Sequence, residues 1–231
     1  MTPRPRKVTD EDIFAATYRA MQRLGPRELT LAEIAAEAGV TAGAVAQRFG
    51  SKRALLLALS EGAASSAGDM LRAIASSHPS PLAAVRAYAE CIAGLASSPV
   101  ALSRNLAYLQ VDLADDEFRA HLAAQGHATR EGIQALLEEA VAARELVRDT
   151  DTDTLSRSIE LALNGALFTW AVYQEGSAAE FLRDAVDVAI APYLNRRIGG
   201  SADRRIGELQ PRTALKGNDT KTNSKTTGNS S

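Results

Sequence analysis

The sequence predicts an all-α protein: an N-terminal three-helix head, a long connecting helix and a C-terminal helical bundle. Three observations lead there. Aromatic residues make up only 5% of the chain while Ala and Leu abound, which favours helix over sheet. Apolar residues recur three and four apart through most of the chain, and no stretch alternates as a half-buried strand would. Helix-starting residues stand ahead of these runs, and Gly or Pro closes several of them.

Residues 1–8 are rich in Pro and Arg and read as a flexible basic arm. A first helix is predicted from Asp10 to about Leu24, with Asp10, Glu11 and Asp12 at its dipole-favoured start and Gly25-Pro26 as its stop. Its apolar face is Ile13, Ala16, Ala20 and Leu24. "TLAE" reads as a capping box in which Thr30 caps and Glu33 reaches back, opening a helix over 31–38 that ends at Gly39. Thr41 caps a helix of about two turns whose inward residues are Val45 and Phe49. Ser51 caps the long helix that follows, from Lys52 into the 70s, with Leu55, Leu56 and Leu59 inward. Further helices are predicted over about 81–96, 100–111, from Asp115–Glu117 to about Glu145, from 151 or 152 to Glu175, and from Ala178 to Asn195. From Gly199 onward the periodicity is lost, and 199–231 reads as a disordered tail. The predicted division is therefore an arm at 1–8, a head at 9–56, a body at 57–198 and the tail.

Composition narrows the class of function. With 231 residues, 45% hydrophobic and 23% charged, the chain reads as an ordinary globular protein with room for a sizeable core. No run approaches a membrane span, and no apolar segment follows "MTPRPRK" as a secretory signal requires. The single Cys91 can form no internal disulfide, which fits a reducing cytoplasm, and a cysteine-rich zinc site is excluded. The net charge of −2 is unevenly spread. Residues 1–56 hold nine Lys/Arg against six Asp/Glu, +3, whereas 57–198 hold eleven against nineteen, −8. The basic head is thus the candidate for a polyanionic partner.

Helix, Gly turn and short Thr-capped helix is the layout of a helix-turn-helix. "LTLAEIAAEAGVTAGAVAQRFGSKRALLLAL" at 29–59 resembles the DNA-binding signature of the tetracycline-repressor-like (TetR) family. The resemblance is carried by Thr30, Ile34-Ala35, Ala38-Gly39-Val40, Gly43, Val45, Phe49, Ser51-Lys52 and Leu55-Leu56. With Val45 and Phe49 turned inward, Ala42, Gly43, Ala44, Gln47 and Arg48 are left to face outward. Small residues there let a helix approach base edges in a major groove about 12 Å wide. The resemblance puts base and near-base contacts at Ala42, Gly43, Ala44 and Arg48, with Arg48 able to read guanine bidentately and Gln47 adenine or a phosphate. It makes Lys52 a phosphate-binding lysine, and the helix starts at Thr30 and Thr41 can hold phosphates through backbone N–H groups. One position departs from the family: Ala46 stands where an aromatic, commonly Tyr, supports backbone contact. Arg4, Arg6 and Lys7 are the candidates to compensate by reaching into the minor groove.

The body offers little for catalysis. His121 and His127 are six apart rather than four, no Ser, Cys or Lys lies in a nucleophile motif, and no Gly-rich phosphate loop is present. The expectation is a non-enzyme without metal or cofactor; a carrier or an enzyme on a helical bundle is the alternative. Polar or aromatic residues interrupt the apolar helices at Tyr88, Cys91, Tyr108, His121, Gln125, Asn164, Phe168 and Trp170, which are the candidates for binding a small molecule. The stretch 159–173 carries one charge in fifteen positions and needs cover on more than one face. A second copy of the chain, joined through the last two helices at about 155–194, would supply that cover. The resemblance therefore implies a homodimeric regulator, expected to be a repressor, with a palindromic double-stranded operator and a small-molecule effector as partners.

Overall fold

The computed structural model describes residues 8–94 and 98–195. Arg4, Arg6, Lys7 and the segment 199–231 lie outside the described residues. Among those described, nine α-helices follow one another. They are α1 Asp10–Arg23, α2 Leu31–Ala38, α3 Ala42–Phe49, α4 Lys52–Ser76, α5 Pro81–Ala93, α6 Pro99–Ala114, α7 Asp116–Ala142, α8 Thr152–Tyr173 and α9 Ala178–Ile190. A 3₁₀ turn, Ala191–Tyr193, closes the series.

All nine start on a Ser, Thr or Asp whose side-chain oxygen accepts from a backbone N–H of the first turn. Each such cap contributes about 1 kcal/mol. The capping box expected at α2 is half present: Thr30 Oγ1 accepts from Glu33 N at 3.2 Å. Full boxes form instead at α1, between Thr9 and Asp12, and at α9, between Ser177 and Glu180. Several ends shift from expectation. α5 stops at Ala93, α6 extends to Ala114, and α9 ends at Ile190 because Pro192 cannot continue its hydrogen bonds.

The head is α1–α3 with the start of α4. Ile13, Ala20, Leu29, Ile34, Ala35, Val45 and Leu55 form its core, and Phe49 packs on Phe14 with ring centroids 5.7 Å apart. Glu37 on α2 receives both Arg19 and Arg23 of α1 at 2.8 Å, fixing the angle between the two helices. Gly39 ends α2 at φ 69°, a left-handed conformation that strains any residue with a Cβ. This reversal aims α3 away from α2.

α4 runs out of the head into the body, where its Leu71 joins the core of α5, α7, α8 and α9. Its most extensive partner is α7, which crosses it at Gly132; a Cβ there would lie 2.5 Å from Leu71 Cδ1. Close passage of these two long helices therefore depends on the missing side chain. α9 lies across α5 and α8, burying Leu182, Val186 and Ile190 completely, and Arg86 of α5 bonds Asp187 at 2.7 Å. Leu194 pairs with Leu146 in an isolated antiparallel bridge that ties the chain beyond α9 to the α7–α8 loop. On α8, Ile159, Leu163, Ala166 and Trp170 are buried while Leu161, Phe168, Val172 and Tyr173 are 60–72% exposed. The helix is thus apolar on its solvent side as well as its core side, as its near-chargeless sequence requires.

Candidate nucleic-acid interface and body cavity

α3 is held by its two inward residues. Val45 is fully buried and Phe49 half-buried, so Ala42, Gly43, Ala44, Gln47 and Arg48 all lie on the solvent side. Ala46, at the position of the missing aromatic, is half-buried. Around Gly43 there is room: a Cβ would meet nothing nearer than Thr41 Oγ1 at 4.0 Å. The head itself therefore does not require glycine at 43. Thr30 and Thr41 each accept at 3.2 Å from the N–H three residues on, and each keeps its own hydroxyl proton to donate.

Two cations of the expected interface are engaged within the head. Arg48 donates from a guanidinium nitrogen to the Val8 carbonyl at 2.8 Å and pairs through Nε with Asp10 at the start of α1. Arg48, the candidate base reader, is thus tethered to α1. Lys52 turns inward, its ammonium donating to the carbonyls of Pro26 at 3.0 Å and Leu29 at 2.8 Å. These bonds tie the start of α4 to the α1–α2 turn, and a phosphate contact by Lys52 would have to replace or share them. A lysine at a helix start satisfies either role, and sequence alone does not separate them.

Of the eight candidates for binding a small molecule, Tyr88, Gln125, Asn164 and Phe168 line one cavity of about 540 Å³ between α5, α6, α7 and α8, open to solvent on the side of Asn164 and Phe168. Half of its lining residues are Leu or Ile. Burial pushes the Tyr88 phenol up, while a hydrogen bond with Thr129 acts the other way. The other four lie elsewhere. Cys91 is exposed on α5, and His121 is half-exposed on α7, outside the cavity lining. Trp170 spends its indole N–H on the Gly176 carbonyl at 3.2 Å, closing the α8–α9 turn. Tyr108 leaves the body altogether: its hydroxyl donates to the Leu24 carbonyl at 3.0 Å, and its ring completes the head's core. Asn105, Thr129 and Glu160 line the cavity and escaped the sequence reading. Glu160 had a signal, being the one charge in 159–173.

The sequence pattern of the family described as bacterial regulatory proteins, tetR family, matches residues 13–59, from α1 through the first turns of α4. These residues carry the DNA-binding domain of that family. No curated protein matches it in sequence. Among solved structures, a TetR transcription regulator from Haloarcula marismortui is similar with a TM-score of 0.64 at 21% identity, covering 80% of this chain and 97% of that one. The reduced form of Escherichia coli NemR gives 0.64 at 16%, with 80% and 98% covered. SmeT, the repressor of the Stenotrophomonas maltophilia multidrug efflux pump SmeDEF, gives 0.58 at 23%, with 81% and 91% covered. At these identities the likeness establishes the fold, nearly all of each relative being spanned.

The tetR-type head and the body meet through polar contacts as well as Tyr108. Arg53 on α4 is bound by Asp115 at 2.8 Å and Glu117 at 2.6 Å, and lies 5.5 Å from the Phe118 ring centroid. The Arg53 hydrogen bonds hold the Asp115 carboxyl below the usual carboxylate range. Arg104 of α6 donates to the Gln22 carbonyl at 3.0 Å. Below these contacts a cleft of about 860 Å³ opens between Pro26, Leu56, Tyr108 and Phe118. Among the described residues, no three His, Cys, Asp or Glu side chains converge as a metal site requires, and no helix is long and apolar enough to cross a membrane.

Proposed function

We propose that this chain is a homodimeric, ligand-responsive transcriptional repressor that binds a palindromic operator in the cytoplasm. The observation that carries the reading is α3 itself: a capped two-turn helix, held by two residues, with five small or polar side chains turned to solvent. Such a surface suits close approach to base edges, with Arg48 as guanine reader and Thr30, Thr41 and Gln47 as backbone contacts. Arg4, Arg6 and Lys7 extend the contact toward a neighbouring minor groove.

The dimer reading rests on the exposed face of α8, Leu161, Phe168, Val172 and Tyr173, continued on α9 by Val188 at 75% exposure. A contiguous apolar face of that kind marks an interface. Two copies joined there would present their α3 helices to successive major grooves, one helical turn or about 34–36 Å apart. The body cavity is the effector site. α4 couples it to the head, and an effector favouring a conformation with the wrong head separation weakens operator binding by the same factor.

Selection from a random duplex pool tests the reading. The purified protein is expected to enrich a two-fold symmetric site and to sediment as a dimer at micromolar concentration. Leu161→Arg with Val172→Arg is expected to leave the helical fold intact, yield a monomer and abolish that enrichment. A wild-type monomer, or enrichment of no symmetric sequence, would overturn it.

A further inference from the structure

We infer that the body cavity selects an amphiphilic ligand whose polar end is a protonated amine, and that Glu160 is the residue that receives it. The inference rests on reading the cavity as the effector site. Half of the lining residues are Leu or Ile, so the bulk of the ligand is apolar. Glu160 is the one ionisable carboxylate in the lining, and no Lys, Arg or His lines the cavity with it. Neutral groups complete the polar side: the hydroxyls of Tyr88 and Thr129 and the amides of Gln125 and Asn164.

The two oxygens of Glu160 have different surroundings. Oε2 accepts from Arg130 Nε at 2.8 Å, across from α7. Oε1 faces Gly126, 3.8 Å from the place a Cβ would take, so α7 lays no side chain over it. The carboxylate is thus oriented by Arg130 through one oxygen and presents the other beside an uncovered stretch of helix. An ammonium arriving at Oε1 makes a charge-assisted hydrogen bond, roughly twice as strong as that of a neutral donor. An alcohol makes the weaker bond. A carboxylate meets a like charge, and the Arg130 guanidinium is already committed to Oε2.

Three probes with the same ten-carbon chain separate these cases: decylamine, decanol and decanoate, titrated below their aggregation limits by calorimetry. Decylamine is expected to bind about tenfold or more tighter than decanol, with decanoate weakest. Glu160→Gln keeps the side-chain size and is expected to bring decylamine to the level of decanol without changing decanol. Asn164→Phe, which narrows the cavity, should weaken all three. Equal affinity for amine and alcohol, or tighter binding of decanoate, overturns the amine assignment and leaves the cavity as a ligand site. Absence of binding by all three probes rejects the cavity reading and, with it, this inference.

Discussion

Gly43 and Arg48 are adjacent in role but differ in what the head demands of them. Nothing in the folded head excludes a side chain at 43, and Ala is the better helix former by about 1 kcal/mol. Gly43→Ala is therefore expected to raise the thermal midpoint slightly while weakening operator binding severalfold, read by calorimetry and fluorescence anisotropy. Unchanged binding would remove close approach as the reason for the glycine. Arg48 must leave Asp10 and the Val8 carbonyl to reach a base. An exposed ion pair of this kind contributes up to about 1 kcal/mol, so Asp10→Asn is expected to tighten cognate binding about two- to fivefold. Titration of both proteins with one duplex decides it, and equal affinities would show that the tether costs nothing. Lys52 shows where sequence reasoning reaches its limit at this scale: Ser51-Lys52 is legible as a helix start, but the direction of a flexible four-carbon stem depends on carbonyls 23 and 26 residues earlier.

The elements were more legible than the contacts between them. Apolar spacing marks all nine helices, and capping residues such as Thr30, Thr41 and Ser51 mark several of their starts, because both signals are local. Which helix passes close to which is not local, and Gly132 illustrates the gap. In sequence it is one glycine inside a long helix; in the fold it is the crossing of α7 over α4, filled by Leu71. Gly132→Ala is expected to destabilise the body by about 1–3 kcal/mol through overpacking, despite its gain in helix propensity. Urea denaturation measures it, and a stabilised variant would mean that the crossing has slack. The cavity was half legible for the same reason. Tyr88, Gln125, Asn164 and Phe168 stand out as polar or aromatic interruptions, but Tyr108 and Trp170 interrupt their helices for partners in a carbonyl of the head and a turn of the body.

At the scale of the whole molecule, the coupling of head to body runs through groups that titrate. Burial pushes the Tyr108 phenol up to about 12, against an ordinary value of 10.0. A raised acid binds its proton more tightly in the folded state, so this contribution is intact below pH 10 and is lost as pH rises from about 10 through 12. The wild type is expected to lose thermal stability in that window more steeply than Tyr108→Phe, since the other tyrosines titrate in both. Superimposable profiles would show that the phenol is not linked to folding. Asp115, held low by Arg53, has the opposite dependence: its contribution persists above the ordinary carboxylate range and fades as pH falls below it. The seat of Tyr108 among Ile13, Leu29, Ile34 and Leu55 also bears on modularity. A head whose core is finished by a ring from α6 is not an interchangeable cassette. Grafting it onto another regulator's body would leave a hole where that ring belongs, unless the recipient's α6 supplies an aromatic at the same place. Exchange of heads between such proteins is thus constrained by a residue outside the head's own helices.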